Sequence, residues 1–471
     1  MPPRDAEVTV VTTVSAEYGA CVPVSAPELG AAQMTLAEDA VRRLFQHAGL
    51  DASHRGASGW NPLADIVPRG SRVLIKPNWV SHRNYGRDGL ECVVTHTAIV
   101  EAVLKYVLLA DPAAVTIADA PVQVCDFDVL RSTIGLDSLV RYSEPARPVR
   151  VLDLRTCVLD TSRSKRSQTC RQPVYYREID LGTASALEPV SKDAAFRVTM
   201  YDPTEMVRTH RPGTHKYLVA REALDADVIL SIPKLKTHRK VGLTGALKNV
   251  VGVNGKKEYL PHHRAGDPSH RGDCYPRSST ANRVAEWFRD QVNVSQRRSR
   301  AAAFETAARI CAHVPVLSDP VGRLEGSWDG NDTAWRMVLD LVKIVRMADR
   351  DGQLRDTPQR SLFSVTDAIV AGEGEGPLAP SPAPLRFLTF GANPAACDWV
   401  HAAIVGWNPA DIPLIRNAIG SGPFAAFRGR EQDISINVNG EPAGMPQLSR
   451  MSRTLRPPRY WHVDRRAAQT I

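Results

Sequence analysis

Eight cysteines are scattered over 471 residues, at positions 21, 92, 125, 157, 170, 274, 311 and 397, and no two form a C-x-x-C pair. That spacing excludes a locally encoded ferredoxin cluster or zinc ribbon, and the length excludes a small disulfide scaffold. Aromatic residues make up only 6% and do not interleave with basic runs, which argues against a stacking groove for single-stranded nucleic acid. No 18-residue apolar run occurs, so no membrane-spanning helix is expected. The opening MPPRDAEVTVVTTV lacks an apolar leader core, and a cytoplasmic location with reduced thiols is the expectation. Also missing are a G-x-S-x-G elbow and a G-x-G-x-x-G after the first strand. Neither a hydrolase of that type nor a dinucleotide site has sequence support.

What remains is an ordinary globular composition, 43% hydrophobic and 23% charged, with a net charge of +8 and a pI near 9.1. A moderately basic balance fits an anionic substrate as well as nucleic acid. The length suits two or three domains. The expected division is an N-terminal α/β portion (1–155), a central portion (156–330), a C-terminal α/β portion (331–440) and a tail (441–471).

Periodicity supplies the architecture. Residues 7–14 alternate like a strand, Thr35-Leu-Ala-Glu38 is a capping-box signature, and apolar groups then recur at helical spacing to Leu50. A strand from Arg72 to Ile75 ends in Lys76-Pro77-Asn78, a helix is expected over Thr97–Leu109, and a strand at Val115 ends in Asp119. Strand, helix, strand at this spacing predicts an α/β fold, a mostly parallel sheet with helices on both faces. Its site belongs at the carboxyl edge of the strands.

The chain is organised around residues 227–257, DVILSIPKLKTHRKVGLTGALKNVVGVNGKK. A buried-strand pattern stops at Pro233 and runs into Lys234, Lys236 and His238. Gly242 and Gly245 then bracket Thr244 before a short helical run ending in Lys248-Asn249. A strand that ends among cations before a glycine-containing turn into a helix suits an anion held on helix-terminal amides. Lys236 and His238 are expected on one face, with Lys234 opposite.

The stretch 161–172 reads as an exposed basic loop, and 261–300 as a flap or surface insertion; the adjacent His262-His263 is a weak metal signal. Asp332 or Thr333 is the expected N-cap of a buried helix, Trp335–Met347, with Trp328 and Trp335 packing on it. A strand from Ser364 is expected to run into a loop at 371–377, AGEGEGP, whose two glutamates would need a cation between them. Another strand spans Arg386–Gly391, and Asn393-Pro394 opens a helix carrying Asp398.

Lys76-Pro-Asn78, Asp119, PKLKTH at 233–238, GLTGALKN at 242–249, Asp367 before GxGxGP, and NPAACDWV at 393–400 occur in that order. Together they resemble the domain-of-unknown-function 362 family, over roughly residues 5–425. Many members of that family carry a clustered-cysteine segment that this chain lacks, so no iron–sulfur cluster is expected. The resemblance implies an architecture and a site location, not a reaction.

The residues themselves suggest an enzyme acting on a carboxylated or phosphorylated small molecule. Lys236, His238 and Lys248 are the candidate catalytic groups, and Lys76, Asn78, Lys234, Thr244 and Asn249 the substrate-binding ones. Asp119, Asp367, Glu373 and Asp398 are the candidate ligands for Mg²⁺ or Mn²⁺. The alternative is a non-catalytic nucleotide- or polyanion-binding protein in which acids and lysines form structural ion pairs. An iron–sulfur redox protein is disfavoured.

Overall fold

Alternation along the strands decides the layers. In β1 (Glu7–Thr12), Val8 and Val10 enter one hydrophobic core and Val11 the other. In β5 (Val228–Ile232), Ile229 faces the first core, while Val228, Leu230 and Ile232 face the second. Strands covered on both faces read as continuous apolar runs, which is why this one stood out in the sequence. The computed structural model describes residues 5–23, 33–160, 167–170, 174–199, 201–278, 280–295, 297–313, 325–451 and 453–464. Of the basic stretch 161–172, residues 161–166 and 171–172 lie outside the described residues, whereas Ser167–Cys170 pairs antiparallel with Cys157–Asp160.

Eleven strands form the main sheet, numbered here with the helices used below. After β1 come β2 (Arg72–Pro77), β3 (Ala114–Asp119), β4 (Val149–Asp153) and β5. They are followed by β6 (Lys234–His238), β7 (Gly242–Thr244), β8 (Ser361–Glu375), β9 (Ala379–Gly391), β10 (Ser435–Val438) and β11 (Glu441–Pro442). The main path is β11-β10-β1-β9-β8-β5-β2-β3-β4, with β6 and β7 continuing beside β8. β8, β5, β2, β3 and β4 run parallel, while β9 is antiparallel to β8 and β1. The sheet is therefore mixed and mostly parallel, and it draws strands from the first tenth of the chain to the last.

The helices that bear on the site are α1 (Leu36–His47), α2 (Thr97–Leu109), α3 (Ala246–Asn249), α4 (Thr280–Val294), α5 (Arg298–His313), α6 (Ala334–Met347) and α7 (Pro394–Ile404). α1 and α2 pack on one face, α3, α6 and α7 on the other. Thr35 and Glu38 form the capping box reciprocally, at 3.3 and 3.0 Å. Thr333 is the N-cap of α6, one of the two residues expected, but its side chain makes no cap hydrogen bond; Asn331 Oδ1 instead accepts from Thr333 N and Ala334 N. Among the described residues no helix is long and apolar enough to cross a membrane.

One expectation fails outright. The glycine–glutamate run 371–375 is not a loop but the end of β8, paired residue by residue with β9. Its glycines serve close packing: a Cβ at Gly372 would lie 2.6 Å from Cys92 O and 2.9 Å from Lys236 Cβ. A ligand loop needs free amides, and here the run lies in the ladder while Gly374 N donates to Arg456 O at 2.9 Å.

Candidate functional site

The carboxyl ends of β2, β3 and β5 bring the sequence's polar strand ends together. Lys76 Nζ, fully buried, donates to Asp119 Oδ1 at 2.7 Å, Pro77 O at 2.8 Å and Asn249 Oδ1 at 3.0 Å. Asp119 also accepts from Trp79 N and Ala120 N, and Asn249 Nδ2 donates back to Lys76 O and Ser231 Oγ. Burial pulls the Lys76 ammonium down and the Asp119 charge pulls it up. Every strong donor and acceptor of this network is used, so it ties β2 and β3 to α3. Gly252 permits that closeness, since a Cβ there would fall 1.9 Å from Asp119 Oδ1.

Lys234 is equally satisfied. Its Nζ lies 2.7 Å from Asp367 Oδ2, 2.8 Å from Tyr18 Oη and 3.0 Å from Val370 O. Tyr18 donates to Asp367 Oδ1 at 2.7 Å, and its ring stacks on His96 at 3.9 Å. Both charged side chains are wholly inaccessible to solvent.

Lys236, two residues on, has the same burial and no carboxylate. Its Nζ donates to Asn78 Oδ1 at 2.7 Å and to the carbonyl of Val93. Burial and the nearby Lys234 charge pull it down to about 7. The expectation that Lys234 and Lys236 face opposite ways is corrected here. A two-residue period keeps them on one side of a strand, and both ammonium groups act on the Cys92 thiol. Thr244 sits opposite Lys236 in the β6–β7 ladder, on the same face, and its buried hydroxyl has no hydrogen-bond partner among the described residues.

Three further lysines follow in the same stretch of chain. Lys248, on α3, has no hydrogen-bond or ion-pair partner among the described residues and retains some exposure. Burial and the charges of Lys257 and Lys76 bring it to about 7. Lys257 donates to Ala120 O at 2.7 Å, and Lys240 to Glu325 O. His238 is buried, accepts from Lys240 N on Nδ1 at 3.0 Å, and is held neutral by burial and the Lys248 charge. Its proton therefore sits on Nε2, which can donate. Lys240 and Lys257 escaped the sequence reading because nothing local distinguishes a buried lysine from a solvated one.

The four expected metal carboxylates do not gather. Asp119 and Asp367 are taken by lysines. Glu373 holds the backbone of Arg456 and the side chain of Arg453. Asp398 accepts from Ala246 N at 2.6 Å and Leu247 N at 3.0 Å, and contacts His401 Nδ1 at 3.0 Å. The anion at the start of α3 is thus the protein's own Asp398, and the amides expected to face a ligand are occupied. Among the described residues, the His/Cys/Asp/Glu group with metal-ligand proximity is His263, Cys274 and Glu286, whose ligand atoms lie within 4.8 Å of one another. Separations of 11 and 12 residues match no short motif, so this cluster was not legible in the sequence.

Residues 178–403 match the sequence profile of the family described as a domain of unknown function (DUF362). The chain carries a DUF362 domain. That segment holds β5, β6, all four carboxylate-free lysines and the His263 cluster, whereas Lys76, Asn78 and Asp119 precede it. The thylakoid-associated protein sll1697 of Synechocystis sp. is 41% identical over 54 residues, 11% of this chain and 17% of that protein. A Thermotoga maritima protein of known structure overlaps 69% of this chain and 53% of its own, at 10% identity and a TM-score of 0.28. The lactate racemase apoprotein of Thermoanaerobacterium thermosaccharolyticum overlaps 83% and 56%, at 11% identity and a TM-score of 0.27. The chain thus spans a sixth of that relative and about half of each solved structure, and overlaps this loose align no site.

Proposed function

We propose that the DUF362 chain is an enzyme that binds a small carboxylated or phosphorylated molecule among Lys236, Lys240, Lys248 and Lys257. One observation carries the reading: Lys236, Lys240 and Lys248 act on His238, Lys257 acts on Lys248, and none of the four has a carboxylate within ion-pair distance among the described residues. Their neighbours Lys76 and Lys234 each own an aspartate. Uncompensated buried ammonium groups are costly unless a counter-charge arrives. A dianionic ligand supplies one.

In this reading Lys248 and Lys257 hold the anion, and the unpartnered Thr244 hydroxyl supplies a neutral hydrogen bond. Lys236 moves the proton: with a value near 7, it exists in both protonation states at neutral pH. Asn78 and the Val93 carbonyl fix its Nζ. Lys76, Lys234, Asn249, Asp119, Asp367 and Asp398 then serve to build the recess instead of touching the ligand. The saturated pairs among them favour the second reading in part, that of a binding protein whose acids and lysines are structural.

The test uses inorganic phosphate and citrate as probes, titrated calorimetrically at pH 6.5 and pH 9. Binding is expected at pH 6.5, weakened at pH 9 as Lys236 and Lys248 lose their protons. Lys248→Met should cost about tenfold or more in affinity while the circular dichroism spectrum is retained. Equal affinity in wild type and Lys248→Met would sink the proposal.

A further inference from the structure

The cluster of His263, Cys274 and Glu286 has a different chemistry. His263 lies on a two-residue strand, His263–Arg264, paired with Phe196–Arg197. Cys274 follows a tight excursion closed by hydrogen bonds, Arg264 N to the side-chain Asp273 Oδ1 at 2.5 Å, and on the backbone Asp273 N to Arg264 O at 3.2 Å and Cys274 N to Gly266 O at 2.9 Å. Glu286 comes from α4, and its Oε2 accepts from Gly266 N at 3.0 Å. Three separate segments are therefore locked together before any ligand arrives.

Close approach is enforced at two glycines. A Cβ at Gly326 would lie 2.6 Å from both His263 Cβ and Asn331 Nδ2, and one at Gly272 would lie 2.1 Å from Ala265 O. Asp273, behind the cluster, is consumed by Arg264 N, Asp332 N and the Thr333 hydroxyl, so it buttresses the segment and leaves the three ligand atoms to one another.

Two observations point to a missing partner. His263 is 4% exposed, and its Nδ1 is buried with no hydrogen-bond partner. The nearby guanidinium groups are committed elsewhere, Arg197 to Asp290 and Arg289 to Glu325, and no ion pair claims Glu286 among the described residues. A buried imidazole, a thiol and a carboxylate that no ion pair claims among the described residues, all within 4.8 Å, form a donor set for a divalent cation.

We propose that His263, Cys274 and Glu286 bind one zinc ion. A thiolate and an imidazole select a borderline-soft metal over Mg²⁺ or Mn²⁺. Metal–ligand bonds of about 2.0 to 2.3 Å place tetrahedral ligand atoms about 3.3 to 3.8 Å apart, so the cluster needs only a small contraction. The thiolate and carboxylate together neutralise the ion. Three protein ligands leave a fourth position open, the arrangement of a catalytic zinc and not of a closed structural one. Lys240 interacts electrostatically with both Cys274 and Lys248, which links the cluster to the lysines of the proposed anion site.

The test is made on the full chain, stripped with a chelator and dialysed against zinc without phosphate, so it is independent of anion binding. Elemental analysis should give about one zinc per chain, and cobalt substitution should give a thiolate-to-cobalt charge-transfer band. Cys274→Ser should lose that band, and Glu286→Gln should lower zinc affinity about tenfold or more with circular dichroism unchanged. Should Cys274→Ser fail to fold, zinc X-ray absorption of the wild type reads the same question, expecting one sulfur among nitrogen and oxygen neighbours. A wild type that retains no stoichiometric zinc overturns the assignment and leaves a thiol–carboxylate hydrogen bond in its place. So does a Cys274→Ser variant whose cobalt spectrum matches the wild type, or an absorption shell without sulfur.

Discussion

Replacing Lys236 by methionine removes an ammonium group from a wholly buried position at nearly constant volume. The groups acting on it are Lys234 on its own strand, Cys92 ahead of α2, Asp119 on β3 and Lys248 on α3. Folding lowers the lysine from 10.5 to about 7. The unfolded chain therefore holds this proton more tightly across the window from pH 7 to 10.5, and wild-type stability must rise as pH rises through it. The shift lowers stability by about 5 kcal/mol at pH 6, where the buried group is charged, and by about 2 kcal/mol at pH 9, where it has given up its proton. Wild type should thus gain about 3 kcal/mol between those values that Lys236→Met does not gain. Against this stands a pH-independent loss of about 1 to 3 kcal/mol for each acceptor, Asn78 Oδ1 and Val93 O, left without its donor. The variant should be nearest to wild type, or above it, at pH 6 and clearly weaker at pH 9. Paired urea denaturation in phosphate-free buffer at the two pH values measures the difference. A ¹³Cε titration identifies the lysine directly, by the resonance missing in the variant. If the wild-type and variant curves keep a constant separation, or every lysine resonance titrates above pH 9, the reasoning is refuted.

Two further changes test the saturated parts of the site. Asp367→Asn leaves Lys234 buried without its counter-charge and should cost about 3 kcal/mol or more in urea denaturation; a loss below about 1 kcal/mol would contradict a buried pair. Gly245→Ala places a Cβ 2.0 Å from Asp398 Oδ1 and so displaces the carboxylate from Ala246 N and Leu247 N. A loss of about 2 kcal/mol or more is expected, and no loss would mean that Asp398 does not hold the start of α3.

The layers and the strand ends were legible because they are written locally. β5 announces itself as five consecutive buried residues, α1 by its capping box, and the ends of β2 and β3 by polar residues after apolar runs. Pairing is not written locally. Lys234 and Asp367 are 133 residues apart and Asp398 caps a helix 152 residues upstream, so no window could tell a structural carboxylate from a metal ligand. The glycine–glutamate run misled for a physical reason. Glycines spaced by two suit a turn, but they also let a strand press its backbone against neighbours, and Cys92 O, Thr237 O and Lys236 are those neighbours. Its glutamates proved to anchor residues 453–459 instead of a cation.

Lys234 and Lys236 make the sharpest internal comparison the fold offers. They share a strand, a face and complete burial, so desolvation penalises both ammonium groups alike. The fold answers the first penalty with a carboxylate at 2.7 Å and a tyrosine bridge, and the second with only an amide oxygen and a carbonyl. Neutral acceptors can orient an ammonium group but cannot cancel its charge. A structural lysine gains nothing from that arrangement, because a methionine would fill the same volume without the cost. A lysine that must change protonation state near neutral pH requires it, because a carboxylate partner would lock the proton on. The contrast between these two residues, more than the number of cations nearby, is the ground for the proposal that Lys236 moves a proton while Lys234 holds the sheet together.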